Sequence, residues 1–179
     1  ILKPVTITGS GYDITIICQT GTAHRVIYLG HKDAVVEKVG ITGGNRTTTA
    51  SPRWLYPYKY VGSPGHSCGG GVFIPGYPER AGTLRECRLF GNKYAGYWGG
   101  QLHAAGGLVD RCVIEGDDSM VNAANGGGVM LSGNATIRST LITGNRASSC
   151  GGGVIVYYPA RVRIINCTIA DNFITATAS

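Results

Sequence analysis

Cys87, Cys112, Thr140 and Cys167 hold the same place in four copies of one phrase, spaced 25, 28 and 27 residues apart. Each phrase opens on a glycine pair: Gly69-Gly70, Gly99-Gly100, Gly126-Gly127 and Gly151-Gly152. An apolar strand follows, then the Cys or Thr, then a closing turn at Asn92, Asp117, Asn145 or Asn172. A fixed period in this range is the mark of a solenoid, in which each repeat buries its apolar face only against its neighbours.

The period of the apolar residues selects the kind of solenoid. They recur at every second position, as in Ala135/Ile137, Val162/Ile164 and Cys87/Leu89, which is the alternation of a strand. No window carries the spacing of three and four that an amphipathic helix requires. The alternation loses phase at Arg85-Glu86, Asp110-Arg111, Arg138-Ser139 and Ile165-Asn166, so a bend is expected at each. One strand after the glycines and one on either side of the bend give three short strands per coil. That pattern predicts an all-β, right-handed parallel β-helix forming a single domain over residues 1–179. The opening third repeats the grammar less cleanly, with Val39 in the column of the cysteines. About six coils at roughly 4.8 Å each make a rod ~30 Å long. Glycine is expected where the chain turns into a strand with positive φ, and Asn or Asp where a turn closes the coil.

Composition narrows the function classes. There are 29 glycines, 43% hydrophobic residues and a formal charge of +6. The basic residues Arg85, Arg88, Arg111, Arg138 and Arg163 are scattered over outward strand positions, not gathered into a stripe. This argues against nucleic acid and favours an anionic polymer as partner. No apolar run reaches the ~20 residues of a membrane span. Ile1-Leu2-Lys3-Pro4 leads directly into a strand, and Asn172 to Ser179 stops where another glycine pair is due. An excerpt or an uncapped unit is expected to look like this. The cysteines show no zinc spacing. Cys87, Cys112 and Cys167 read as a buried column of free thiols, while a Cys18–Cys68 bridge remains open. His24, His31, His66 and His103 have no metal-ligand spacing and read as surface residues. No metal or cofactor is expected.

Gly69-Gly70-Gly71-Val72, Gly126-Gly127-Gly128-Val129 and Gly151-Gly152-Gly153-Val154 pair with Leu89-Phe90-Gly91-Asn92, Ile142-Thr143-Gly144-Asn145 and Ile169-Ala170-Asp171-Asn172. These pairs resemble the GGA[ILV] and FxxN repeats of chlamydial polymorphic outer-membrane proteins and of secreted bacterial β-helix proteins more widely. The chain has Gly or Gln101 for the family's Ala, and Leu or Ile for its Phe. The resemblance implies an extracellular or outer-surface passenger, adhesive or structural, rather than an enzyme.

Sites are sought in the loops. The segment 46–68 is a long insertion in which Arg53, Trp54, Tyr56, Tyr58, Lys59 and Tyr60 place aromatic residues at alternate positions. The loop of the next coil contributes Lys93, Tyr94, Tyr97 and Trp98. Stacking would bring both to one corner, and aromatic faces edged with cations suit the rings of a glycan. Two other readings follow from the same chain. Uncapped coil ends would let subunits stack into a fibre. Asp117 and Asp118, with Gly65-His66, resemble motifs of pectin-degrading β-helix enzymes, where paired carboxylates cleave glycosidic bonds. Here the motif order is reversed, and Asp117 stands where the sister repeats have a turn Asn. The expectation is therefore a non-enzyme.

Overall fold

The computed structural model describes residues 1–21, 24–46, 69–94, 98–117 and 123–175. They form a parallel β-solenoid of three main faces. Face A stacks Thr6–Thr8, Val35–Glu37, Thr83–Arg85, Leu108–Asp110, Thr136–Arg138 and Arg163–Ile165. Face B stacks Ile16–Cys18, Gly40–Thr42, Arg88–Leu89, Val113–Glu115, Leu141–Thr143 and Thr168–Ala170. Face C stacks Ile27–Tyr28, Val72–Ile74, Leu102–Ala104, Val129–Gly133 and Val154–Ala160. Every strand pairing is parallel and joins a rung to the equivalent strand of the next. Faces A and B hold six strands each and face C five, so the six rungs are separated by about five turns rather than making the six full coils expected.

The inner columns follow the alternation. Val36, Leu84, Val109 and Ile137 point inward from face A, and Ile41, Leu89, Ile114 and Ile142 from face B, all fully buried. Val72, Leu102 and Val129 do the same from face C. Each such side chain contributes on the order of 2 kcal/mol by leaving water. The columns reach the surface at the first and last rungs, where Ile7, Ile164 and Ile169 are exposed.

The predicted loss of phase between faces A and B is a single residue in the left-handed region. Lys38, Glu86, Arg111, Ser139 and Asn166 have φ of 58, 51, 51, 50 and 50°. No glycine relieves them, although the conformation costs an L-residue roughly 1–2 kcal/mol. Each of the first four donates its backbone N–H to a carbonyl of the next rung, as Glu86 does to Asp110 at 2.9 Å and Ser139 to Ile165 at 2.9 Å. The bend thus stays inside the ladder, and it swings the following residue inward. Val39, Cys87, Cys112 and Thr140 fill that corner, buried, with Cys167 half-buried on the last rung. Cys87 and Cys112 are free thiols, as the column predicted, and so are the exposed Cys18 and Cys150. Cys68 lies outside the described residues.

The other corner of face B is built differently from the expectation. The left-handed residue of the closing turn is Gly43, Gly91, Gly144 or Asp171, one place before the Asn column. The asparagines themselves turn inward and form a ladder of amides. Asn145 Nδ2 donates to Thr143 O at 2.9 Å and to Ile114 O of the preceding rung at 3.0 Å. Asn172 Nδ2 makes the same two bonds, to Ala170 O at 2.8 Å and Ile142 O at 2.9 Å. Asn172 Oδ1 accepts the backbone N–H of Asn145 at 3.0 Å, and Asn92 Oδ1 accepts that of Gly44 at 2.9 Å. One side chain thereby satisfies the backbone groups that a tight turn strands in the interior. In the second rung this column holds Gly44, not Asn45, since Asn45 pairs with Lys93.

The glycine triplets divide their work accordingly. Gly69, Gly99, Gly126 and Gly151 take the positive φ of the corner. The third glycine makes room for the amide: a Cβ on Gly71, Gly128 or Gly153 would stand 2.7 to 2.8 Å from Cγ of Asn92, Asn145 or Asn172.

Candidate functional site

After the Asn turn the chain runs briefly along a fourth edge. Asn45–Arg46 pairs with Lys93–Tyr94, so the two loops predicted to share a corner do leave the barrel side by side. Ala123–Asn125, Arg146–Cys150 and Phe173–Ile174 continue the edge over later rungs. Of the predicted glycan residues, Arg53, Trp54, Tyr56, Tyr58, Lys59, Tyr60 and Tyr97 lie outside the described residues, as do His66 and Asp118. Lys93 is exposed, and the backbone of Tyr94 lies beside that of Arg46. Trp98 is half-buried and bridges to Asn125. Its ring meets Tyr157 edge-on, with centroids 4.7 Å apart. Tyr157 belongs to the face C strand two rungs further on, so the indole crosses the outside of an intervening rung.

That outer side of face C carries an aromatic column absent from the sequence expectations. Tyr28, Phe73, His103 and Met130 share one register and alternate with the inward residues. Tyr28 and Phe73 stand 5.6 Å apart, and Phe73 and His103 4.9 Å. The Arg25 guanidinium lies over the Phe73 ring at 4.9 Å. His103 faces the Ser132 hydroxyl at 3.1 Å. Phe73, His103 and Met130 are buried, which corrects the surface reading of His103. Partial burial pushes the Tyr28 phenol above its ordinary range, with Arg80 and Arg25 opposing. A signal for this column was available. Val72-Phe73-Ile74 and Val129-Met130-Leu131 are unbroken apolar triplets, the pattern of strands covered on both faces.

Charges on faces A and B pair along the axis. Glu37, Arg85, Asp110 and Arg138 occupy one outward row in alternating sign. Arg85 lies 3.7 Å from Glu37, and Arg138 bonds Asp110 at 2.9 and 3.2 Å. Arg111 bridges Glu86 at 2.9 Å and Asp110 at 3.0 Å. On face B, Arg88 holds Glu115 at 2.5 Å and Asp13 at 2.6 Å. The side-chain bonds to Glu115 and Asp13 hold the Arg88 guanidinium pKa further above its usual value. Four of the five scattered arginines of the sequence, Arg85, Arg88, Arg111 and Arg138, are thus paired with carboxylates of other rungs.

The buried thiols are poor nucleophiles. Burial pushes the Cys87 thiol up to about 11 and raises that of Cys112 further. The thiolate, which is the reactive form, is correspondingly rare near neutral pH. Asp117 is exposed, and Glu115, two residues before it, is held by Arg88. Among the described residues no three His, Cys, Asp or Glu side chains cluster to hold a metal ion, and no helix is long and apolar enough to cross a membrane.

Compared with known proteins, the chain matches no family model, no curated protein and no solved structure.

Proposed function

We propose that this β-solenoid is a non-enzymatic structural or adhesive stalk at an extracellular or outer cell surface, contacting a glycan or anionic polymer through its fourth edge. One observation carries the reading. On faces A and B, Arg85, Arg88, Arg111 and Arg138 pair with carboxylates of other rungs instead of converging on a cleft. Such pairs on the surface contribute little stability, about 0–1 kcal/mol each, but they fix which rung sits beside which. Exposed Lys93 and the half-buried Trp98–Tyr157 pair are a cation and ring faces of the kind a glycan would use. The resemblance to passenger repeats points the same way.

The test is binding to polygalacturonate and alginate, measured alongside solution viscosity. The stalk reading expects saturable binding that Trp98→Ala weakens, with viscosity unchanged. A fall in viscosity that Asp117→Asn abolishes would replace this reading with a polysaccharide-degrading enzyme. End-to-end self-association is a second reading, favoured by the exposure of inner-column residues Ile7, Ile164, Ile169 and Ile174. Electron microscopy at low and high concentration distinguishes the two: filaments growing with concentration support stacking, and single short rods support the stalk.

A further inference from the structure

In the fourth rung the amide ladder meets two departures from the repeat. The Asn position holds Asp117, and the third glycine is replaced by Gln101. Asp117 is exposed, whereas Asn92 and Asn145 are fully buried. The sequence reading, which gave Asp117 the same turn role as its sisters, is corrected here. A carboxylate has no N–H to offer the inward carbonyls, and burying its charge there would be costly.

Gln101 makes three of the missing bonds from the other side of the barrel. It is fully buried. Its Nε2 donates to Glu115 O at 2.7 Å, the counterpart of the bond from Asn145 Nδ2 to Thr143 O. Its Oε1 accepts Asn92 Nδ2 at 2.7 Å and Asn92 N at 3.3 Å. Those are the counterparts of the bonds that Asn172 Oδ1 accepts from Asn145 Nδ2 at 3.1 Å and Asn145 N at 3.0 Å. The amide group is therefore in place, carried on a different residue. Where Asn is present the third residue must be glycine, because a Cβ there would overlap the amide. Where Asn is absent, the space that glycine would leave is filled by the glutamine side chain.

We propose that Gln101 and Asp117 are one compensated exchange, in which Gln101 is the positioning residue that carries the buried amide and frees residue 117 to be an exposed carboxylate. The exchange also acts as a register key. A slip of one rung would set Gln101 against a rung that already supplies its own Asn, putting two amides in one site and none in the next. The repair is one-sided. Asn145 Oδ1, buried, has no partner among the described residues, whereas Asn92 Oδ1 and Asn172 Oδ1 each accept a backbone N–H of the preceding rung.

The test compares the chain with Gln101→Gly, Asp117→Asn and the double variant by thermal unfolding. Gln101→Gly should lower Tm by several degrees, since three bonds are lost and a void opens. Asp117→Asn alone should shift Tm by less than about 2 °C, because the site is occupied. The double variant should return to the parent Tm or exceed it, since a turn restored to the form of its sisters would also offer Asn145 Oδ1 its donor. If Gln101→Gly fails to fold, recovery of a folded double variant still supports the exchange. A double variant no more stable than Gln101→Gly, or a Gln101→Gly with unchanged Tm, overturns it.

Discussion

The two corners of face B solve the same problem with opposite chemistry. Both turn a short strand into the next within a few residues, and both stack their inward side chains in columns along the axis. The corner shared with face A holds Val39, Cys87, Cys112 and Thr140, four buried residues of three types. The corner leading to the fourth edge holds Asn92, Asn145 and Asn172, with Gly44 in the second rung, and its deviation at Asp117 is accompanied by a second substitution at Gln101. At the first corner the bend residue's own N–H is satisfied by the neighbouring rung; Cys87, Cys112 and Thr140 add a weak Sγ–H or an Oγ–H bond to the carbonyl two residues back, which Val39 does without. At the second, a side-chain amide must satisfy carbonyls and N–H groups of two rungs. Volume can be matched by several residues, whereas a donor and an acceptor at fixed positions can be matched by very few. In this chain the first column varies among Val, Cys and Thr one residue at a time, whereas the loss of the amide at Asp117 comes together with Gln101.

The sharpest way to break this contrast is to remove an amide. Asn145→Ala leaves Ile114 O, Thr143 O and Asn172 Oδ1 without its donor bonds, at about 1–3 kcal/mol for each buried group. A loss of at least ~3 kcal/mol is expected, or a Tm lower by roughly 6–12 °C for a chain of this size. Gly128→Ala comes next. Its Cβ would stand 2.8 Å from Asn145 Cγ, and a cost of about 1–3 kcal/mol is expected from overpacking. Thermal unfolding checks both, and in the Asn145→Ala background the glycine substitution should cost less but keep a penalty, because its Cβ would also stand 2.7 Å from Gly153 O.

The thiol corner predicts a pH response instead. The folded-state pKa of Cys87 is raised from 9.0 to about 11, so the folded chain holds this proton more tightly than the unfolded one. Its contribution is fully present below pH ~9 and is lost as pH rises through about 11. Cys112 acts in the same direction. Denaturant midpoints measured across that range should fall, and the fall should shrink in Cys87→Val. Alkylation at neutral pH should modify Cys18 and Cys150 in the native state and spare Cys87 and Cys112 until unfolding. The smallest effect is expected from Cys87→Val itself near neutral pH. Val39 already occupies the same column, and a change within about 1 kcal/mol is expected.

The solenoid was legible because its evidence is periodic. Alternation placed the strands, and the phase slips at Arg85-Glu86 and Arg138-Ser139 placed the bends at residues that prove to have φ near 50°. The cysteine column followed from spacing alone. The division of labour within the glycine triplet was hidden. Positive φ and close approach both select glycine, and only the contacts of Gly128, with Gly153 O and the Asn145 amide, separate them. Asp117 was misread for a related reason. Turn chemistry makes Asn and Asp look alike, and the difference appears only when the side chain must donate inside the barrel. Of the candidate site, Lys93 and Trp98 are among the few residues that are described, and the ring that Trp98 meets, Tyr157, is 59 positions on and out of reach of any local pattern. The Phe73–His103 column could have been read from unbroken apolar triplets, had the third face been tested for cover on both sides.

The most direct test of the amide ladder is hydrogen exchange at its side-chain NH2 groups, followed by NMR in the intact chain. The ladder places Gln101 among the buried donors, so its Nε2 protons should exchange as slowly as the Nδ2 protons of Asn92 and Asn145, orders of magnitude behind an exposed amide such as Asn134. Exchange of Gln101 at the rate of Asn134, with Asn92 and Asn145 still protected, would contradict the account and leave the fourth rung without its amide.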